Sequence, residues 1–214
     1  MMNTPKNASG AIERRDFLKT SGAAAGAAVA GFPSIVSGQS VTNALKVGLI
    51  GAGGRGSGAA GQALTADKNA VLTAVADIDE AIVTRAVTRL SGSQRFGSQV
   101  KIDQAVHGLD AYEKVINSGV DVVLLAAPPG FRPAHLKASV EAGKHIFCEK
   151  PVATDSIGIR QAIEMQKLAK SKNLALVSGF CWRYHNAVQA AMEQVHGGAL
   201  GRLVAHYSTY YTNP

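Results

Sequence analysis

Glycine recurs at the G-x-G-x-x-G spacing in Gly51-Ala52-Gly53-Gly54-Arg55-Gly56, directly after the apolar run Leu45 to Ile50. That order reads as a strand, a phosphate-binding turn and the start of a helix, the arrangement that grips a dinucleotide. Gly51 lets the backbone turn sharply. Gly53 lets it approach a pyrophosphate with no Cβ in the way, and Gly56 lets the helix pack close to the strand. The helix N-terminus then faces the anion. Gly58 and Gly61 prolong the run, so composition alone also fits a flexible linker. Position argues for the turn: a second apolar run, Val71 to Ala76, ends in Asp77 about twenty residues beyond Gly56, where a carboxylate accepts hydrogen bonds from ribose hydroxyls. Asp77 also fits the N-cap of a helix starting near Asp79, and the two roles are compatible. A carboxylate there repels a 2′-phosphate, and no Arg or Lys follows before Arg85. NAD is therefore expected over NADP, with Arg55 as the residue that could still reach a phosphate.

The second chemical cluster is Glu149-Lys150-Pro151, an acid, a base and a proline at the end of the run from Lys144 to Cys148. Taken singly it is a polar loop with a stop. At the end of a fifth strand it would face the nicotinamide end of a dinucleotide. A lysine there, partly desolvated and near a cationic ring, has a lowered pKa and suits a substrate hydroxyl and its proton. Cys148 and Cys181 each follow a predicted strand and read as two free buried thiols, a bridge in an oxidising compartment being the alternative. No metal-ligand spacing occurs among the Cys and His residues, so no metal site is expected.

These groups need a scaffold. Apolar runs predict strands over 45–50, 71–76, 97–102, 120–125, 144–148 and 174–179. Helical patterns fall between and after them over 55–66, 79–90, 110–118, 133–142, 155–171 and 185–197. The alternation defines an α/β fold, a Rossmann-type doubly wound parallel sheet. Val120-Asp121-Val122-Val123-Leu124-Leu125 is dense in β-branched residues and suits a strand buried on both faces. It stops at Ala126-Ala127-Pro128-Pro129-Gly130, a loop on the carboxyl edge where open α/β sheets bind ligands. Residues 202–212 read as one long strand rich in β-formers. The expectation is that it opens a truncated α+β domain, since a lone strand leaves backbone groups unpaired.

A 214-residue chain that is 46% hydrophobic can bury one core of about 150 residues. The formal charge is +7, of which residues 1–40 supply two through Lys6, Arg14, Arg15 and Lys19 against Glu13 and Asp16. The remainder is scattered, with no basic run interleaved with aromatics, so a nucleic-acid partner is not expected. Arg14-Arg15-Asp16-Phe17-Leu18-Lys19 precedes a mild Ala/Gly-rich stretch to Val36 and small residues to Ser40. This resembles a twin-arginine export signal, too short and mild for a stable membrane span. A mobile basic tail or an uncleaved anchor is the alternative. Three segments follow: a signal over 1–40, an NAD(P)-binding domain over 41–180, and the start of a substrate and oligomerisation domain over 181–214.

Together, the glycine turn, Asp77, Ala127-Pro128-Pro129 with His135 downstream, the Gly143 to Pro151 block and Gly179-Phe180-Cys181-Trp182-Arg183-Tyr184 resemble the glucose–fructose oxidoreductase, inositol dehydrogenase and rhizopine-catabolism (Gfo/Idh/MocA) oxidoreductases. The resemblance spans about residues 45–214. It implies a nicotinamide-binding domain followed by an open antiparallel sheet domain that binds sugars or polyols and often forms homo-oligomers. It makes Lys150 the catalytic or substrate-orienting residue, with Glu149 and Pro151 shaping the nicotinamide pocket. Gly51, Gly53, Arg55 and Gly56 would meet the pyrophosphate, Asp77 the ribose, and Pro128 and His135 the cofactor cleft. His135 fits a polar helix face as well, and Trp182, which could border the site with Arg183, fits a core position. The further Asp and His that the resemblance places in the second domain are not reached, so this chain is expected to bind cofactor without full activity. The expected function is an exported sugar or cyclitol oxidoreductase with NAD tightly held, NADP being the alternative cofactor. An NAD-dependent glycosidase of the same superfamily, which tends to lack the lysine, and a non-catalytic cofactor-binding protein are the competing functions.

Overall fold

The computed structural model describes residues 44–211, so the expected signal segment lies outside the described residues. The central strand is Leu45–Ile50 (β1), whose apolar side chains are buried from Val47 onward. It pairs in parallel with Ala70–Asp77 (β2) on one side. Val100–His107 (β3) pairs in parallel with β2 beyond it. On its other side β1 pairs with Val122–Leu125 (β4), followed outward by His145–Cys148 (β5) and Leu176–Ser178 (β6). The order β3-β2-β1-β4-β5-β6 is the doubly wound one, and it reverses between β1 and β4.

Six helices connect and follow the strands: Gly54–Ala66 (α1), Glu80–Ser91 (α2), Ala111–Ile116 (α3), Arg132–Glu141 (α4), Ser156–Ser171 (α5) and Asn186–His196 (α6). Their starts are written locally. The Asp79 side chain caps α2 by accepting from the Ala81 amide at 2.7 Å, and the Asp155 side chain caps α5 by accepting from the Gly158 amide at 2.7 Å. Each such cap is worth about 1 kcal/mol. The cap of α2 is therefore Asp79, which leaves the Asp77 carboxylate free of that role.

The sheet separates two apolar layers, because successive strand residues face opposite ways. Leu49, Leu72, Val75 and Leu124 pack with Leu64 and Leu90 of α1 and α2. Ile50, Val123, Leu125 and Ile146 pack on the other side with Val115, Leu136 and Val140 of α3 and α4.

Two expectations are corrected. The third strand runs over 100–107 rather than 97–102, with a 3₁₀ turn over Gly97–Gln99 before it. This edge strand is only half-buried at Val100, Ile102 and Val106, and its polar Lys101, Asp103 and Gln104 dilute the apolar pattern. No strand forms over 202–211, where Val204, Tyr207 and Tyr211 are 82, 90 and 90% exposed. β-forming residues gain from cross-strand packing, and no described strand lies beside them.

The turn after β1 is fixed by backbone contact. Gly51 has φ +89°, and a Cβ on it would stand 2.2 Å from the Ala127 amide nitrogen. A Cβ on Gly56 would stand 1.8 Å from the Gly51 carbonyl oxygen. A Cβ on Gly53 would meet no protein atom within 4 Å. Gly56→Ala should therefore lower stability by at least about 2 kcal/mol, whereas Gly53→Ala should stay within about 1 kcal/mol of wild type. Urea unfolding midpoints of the two variants check this contrast.

Candidate functional site

A cleft of about 490 Å³ opens at the carboxyl ends of β1, β2 and β4, where the strand order reverses. Gly51, Gly53 and Gly54 line it from the β1 turn, Asp77 and Ile78 from the end of β2, and Ala127 and Pro128 from the loop after β4. Arg55, Gly56 and His135 also reach it. The structure thus brings together seven of the residues singled out from sequence: Gly51, Gly53, Arg55, Gly56, Asp77, Pro128 and His135.

The floor of this cleft fits an anion. Helix α1 begins at Gly54 with no side-chain cap and no acidic residue in its first turn, so its partly positive end is open. Protein packing does not demand a glycine at Gly53, since a Cβ there meets open space. The space it leaves lies on the cleft, where a pyrophosphate can approach the backbone. The carboxylate of Asp77 stands beside this floor. It accepts from the Ala52 amide at 2.7 Å and the Ile78 amide at 2.8 Å, which aims it from β2 across the turn.

The wall formed by α3 and α4 is aromatic. His135 is 7% exposed and stacks on Tyr112 at 4.3 Å between ring centroids, with Phe131 at 6.1 Å. Sequence reasoning missed Tyr112 and Phe131 in the cleft. Aromatic residues near the starts of α3 and α4, both facing the carboxyl edge, were the available signal. Burial lowers the His135 pKa to about 4, so the imidazole is neutral at ordinary pH. The expectation of a polar-face histidine is thereby set aside in favour of the cleft.

Glu149, at the end of β5, is 3% exposed, and its carboxylate is neutralised from across the sheet by Arg55. Arg55 Nε donates to Glu149 Oε1 at 2.6 Å, and Nη2 lies 2.6 Å from the same oxygen. Arg55, expected on the pyrophosphate, thus ties the glycine turn to the Glu149-Lys150-Pro151 loop. Lys150 is exposed, so the described residues do not supply the desolvation expected of it. Arg183 is exposed outside the cleft lining, with its guanidinium 5.8 Å from the Phe180 ring centroid. Trp182 is 63% exposed and is not a core residue of the described chain. Cys148 and Cys181 are free thiols, but only Cys148 is buried, and burial raises its pKa to about 11.

With the switch-point cleft, the glycine cradle and the acidic end of β2 in place, the class is a dinucleotide-binding Rossmann domain. The chain belongs to the Gfo/Idh/MocA oxidoreductase family, whose NAD-binding Rossmann fold matches residues 45–180. Residues 11–31 match the twin-arginine translocation pathway signal sequence, which addresses the chain for export. A nicotinamide dinucleotide is the cofactor that this family fold binds. Inositol 2-dehydrogenase 4 of Saccharopolyspora erythraea is 33% identical over 158 residues, covering 74% of this chain and 43% of that protein. Inositol 2-dehydrogenase of Acidothermus cellulolyticus is 29% identical, covering 79% of this chain and 46% of the relative. The chain therefore spans about half the length of the curated relatives it matches. Among solved structures, myo-inositol 2-dehydrogenase from Lactobacillus plantarum superposes with a TM-score of 0.60 at 25% identity, covering 76% of this chain and 44% of that one. KijD10, a 3-ketoreductase from Actinomadura kijaniata in complex with NADP, superposes with a TM-score of 0.57 at 26% identity over 74% and 46% of the two chains. Among the described residues no helix is long and apolar enough to cross a membrane.

Two outcomes follow from the charges. Arg55→Ala leaves the buried Glu149 carboxylate without its cation and should cost about 1–3 kcal/mol, the half-exposed arginine placing it below a fully buried pair. Glu149→Gln in the same chain should recover most of that loss in urea unfolding. For His135 the folded pKa of about 4 lies below the unfolded value near 6.5, so the unfolded chain binds the extra proton between them. Its contribution is complete above pH 6.5 and is lost as pH falls toward 4, by up to about 3 kcal/mol. His135→Phe keeps the stack and should flatten stability between pH 7 and 4.5.

Proposed function

We propose that residues 41–180 hold NAD for an exported oxidoreductase acting on a sugar or cyclitol, with 181–214 entering a substrate and oligomerisation domain. The observation that carries the cofactor reading is the cradle at Gly53. Its missing side chain serves no packing need of the protein and opens on the uncapped start of α1 beside Asp77. The substrate class rests on the inositol dehydrogenases among the relatives.

In this reading Gly51, Gly53 and Gly56 shape the turn that binds the pyrophosphate, and Asp77 accepts from ribose hydroxyls. Asp77 followed by the 58% exposed Ile78 offers a 2′-phosphate no cation, which favours NAD. Pro128 and the neutral ring of His135 form the wall, and Glu149 and Pro151 shape the nicotinamide end. The bound nicotinamide supplies the hydride acceptor. Lys150, exposed at that end, hydrogen-bonds the substrate hydroxyl and, as the neutral amine, takes up its proton as the carbon–hydrogen bond is broken. Arg183 borders the substrate side. An exported enzyme meets little free dinucleotide, so the cofactor stays bound through oxidation and re-reduction, and the 214 residues by themselves bind it without full turnover.

Purified exported protein should release about one NAD(H) per chain on denaturation, measured by mass spectrometry. A protein that carries none and binds no added NADH would overturn the reading. Asp77→Ala should weaken NADH binding about tenfold or more, near 1.4 kcal/mol, while NADPH binding is left equal or improved. Fluorescence titration of both cofactors checks the difference.

A further inference from the structure

Arg132, the first residue of α4, is the buried arginine that the cofactor cleft does not use. It is 5% exposed and has no carboxylate in a salt bridge among the described residues. Burial lowers its pKa, with the neighbouring Cys148 and Glu149 pulling it back up. Its Nη1 donates to the Glu149 carbonyl oxygen at 2.8 Å and also to the Pro151 carbonyl oxygen. Those two carbonyls flank Lys150. The Lys150 amide in turn donates to Glu149 Oε2 at 3.2 Å, and the Glu149 amide donates to the Leu125 carbonyl of β4 at 2.9 Å. The backbone of Lys150 is thus held on both sides and at its own amide, while its side chain is exposed. Burying a cation is unfavourable unless its donors are used. Here one guanidinium nitrogen, Nη1, bridges two peptide oxygens either side of one residue, while the buried Nε has no hydrogen-bond partner among the described residues.

We propose that Arg132 is the positioning residue for Lys150, fixing the backbone on either side of it so that the side-chain amino group is presented at one place at the mouth of the site. The inference rests on the reading of Lys150 given above. It assigns Arg132 no contact with cofactor or substrate, and it separates two jobs on one loop. Arg55 neutralises the Glu149 side chain, and Arg132 clamps the main chain.

The test uses the full chain with its lysines reductively methylated by ¹³C-formaldehyde, the Lys150 signal being identified by its loss in Lys150→Arg. Wild type, Arg132→Lys and Arg132→Met are compared without cofactor and with NADH. In cofactor-free wild type the Lys150 methyl signal should stand apart from those of freely tumbling lysines. In Arg132→Met it should collapse onto them, while the Kd for NADH changes less than about threefold. Arg132→Lys should shift it part of the way, and this variant decides the matter if Arg132→Met does not fold. An unmoved Lys150 signal in the folded variants would overturn the proposal, as would a loss of NADH affinity that parallels the shift, because Arg132 would then only hold the domain together. A wild-type signal that ignores NADH would instead count against Lys150 facing the cofactor, and the Arg132 effect in cofactor-free protein would stand apart from it.

Discussion

The backbone contact between the glycine turn and the loop after β4 governs the rest of the site. Gly51 turns with positive φ directly against Ala126 and Ala127, and Gly56 then passes over the Gly51 carbonyl at a distance that admits no side chain. These approaches seat the start of α1 at the point where the sheet order reverses. Parallel strands place all their carboxyl ends on one edge, so the β1 turn, the end of β2, the β4 loop and the end of β5 converge there. A bulkier turn would move α1 outward, and with it Arg55, whose reach to Glu149 ties the two halves of the sheet together.

Charge in this region is arranged by burial. The open end of α1 is partly positive and has no acidic side chain of its own in its first turn. The Asp77 carboxylate is instead held one strand away by the Ala52 and Ile78 amides. Glu149 would be costly at 3% exposure without a cation, and Arg55 provides one from the turn itself. The loop bearing Lys150 is therefore fixed through its side-chain carboxylate by one arginine and through its carbonyls by another, Arg132. Two separate elements, α1 and α4, determine where one exposed lysine stands.

The aromatic wall shows the opposite use of burial. His135 stacks on Tyr112 with Phe131 also near it, and stays neutral because its surroundings penalise the charged form. A neutral, flat, apolar surface beside an anion-binding floor suits a ligand with both a ring system and phosphates, and the cleft offers the two within one opening.

The sequence by itself determined the parallel α/β architecture, because the strands buried on both faces, such as Val122–Leu125, are written as continuous β-branched and apolar runs. It also determined the turn, since Gly56 is demanded by local backbone crossing, Gly51 by its positive φ and Asp77 by the end of a strand. The sequence places edge strand β3 too early because five of its eight residues face water, and residues 202–212 read as a strand because propensity carries no information about a partner. The tertiary structure alone decided which side chains meet: Arg55 with Glu149, 94 residues apart, and Arg132 with the carbonyls on either side of Lys150. It also turned His135 into a buried, stacked ring and left Arg183 outside the cleft. Spacing along the chain fixes which face of an element a residue occupies. Only the packing of the elements sets the few ångströms between side chains, and the short-ranged ion pairs, hydrogen bonds and stacking contacts of this site exist only at those distances.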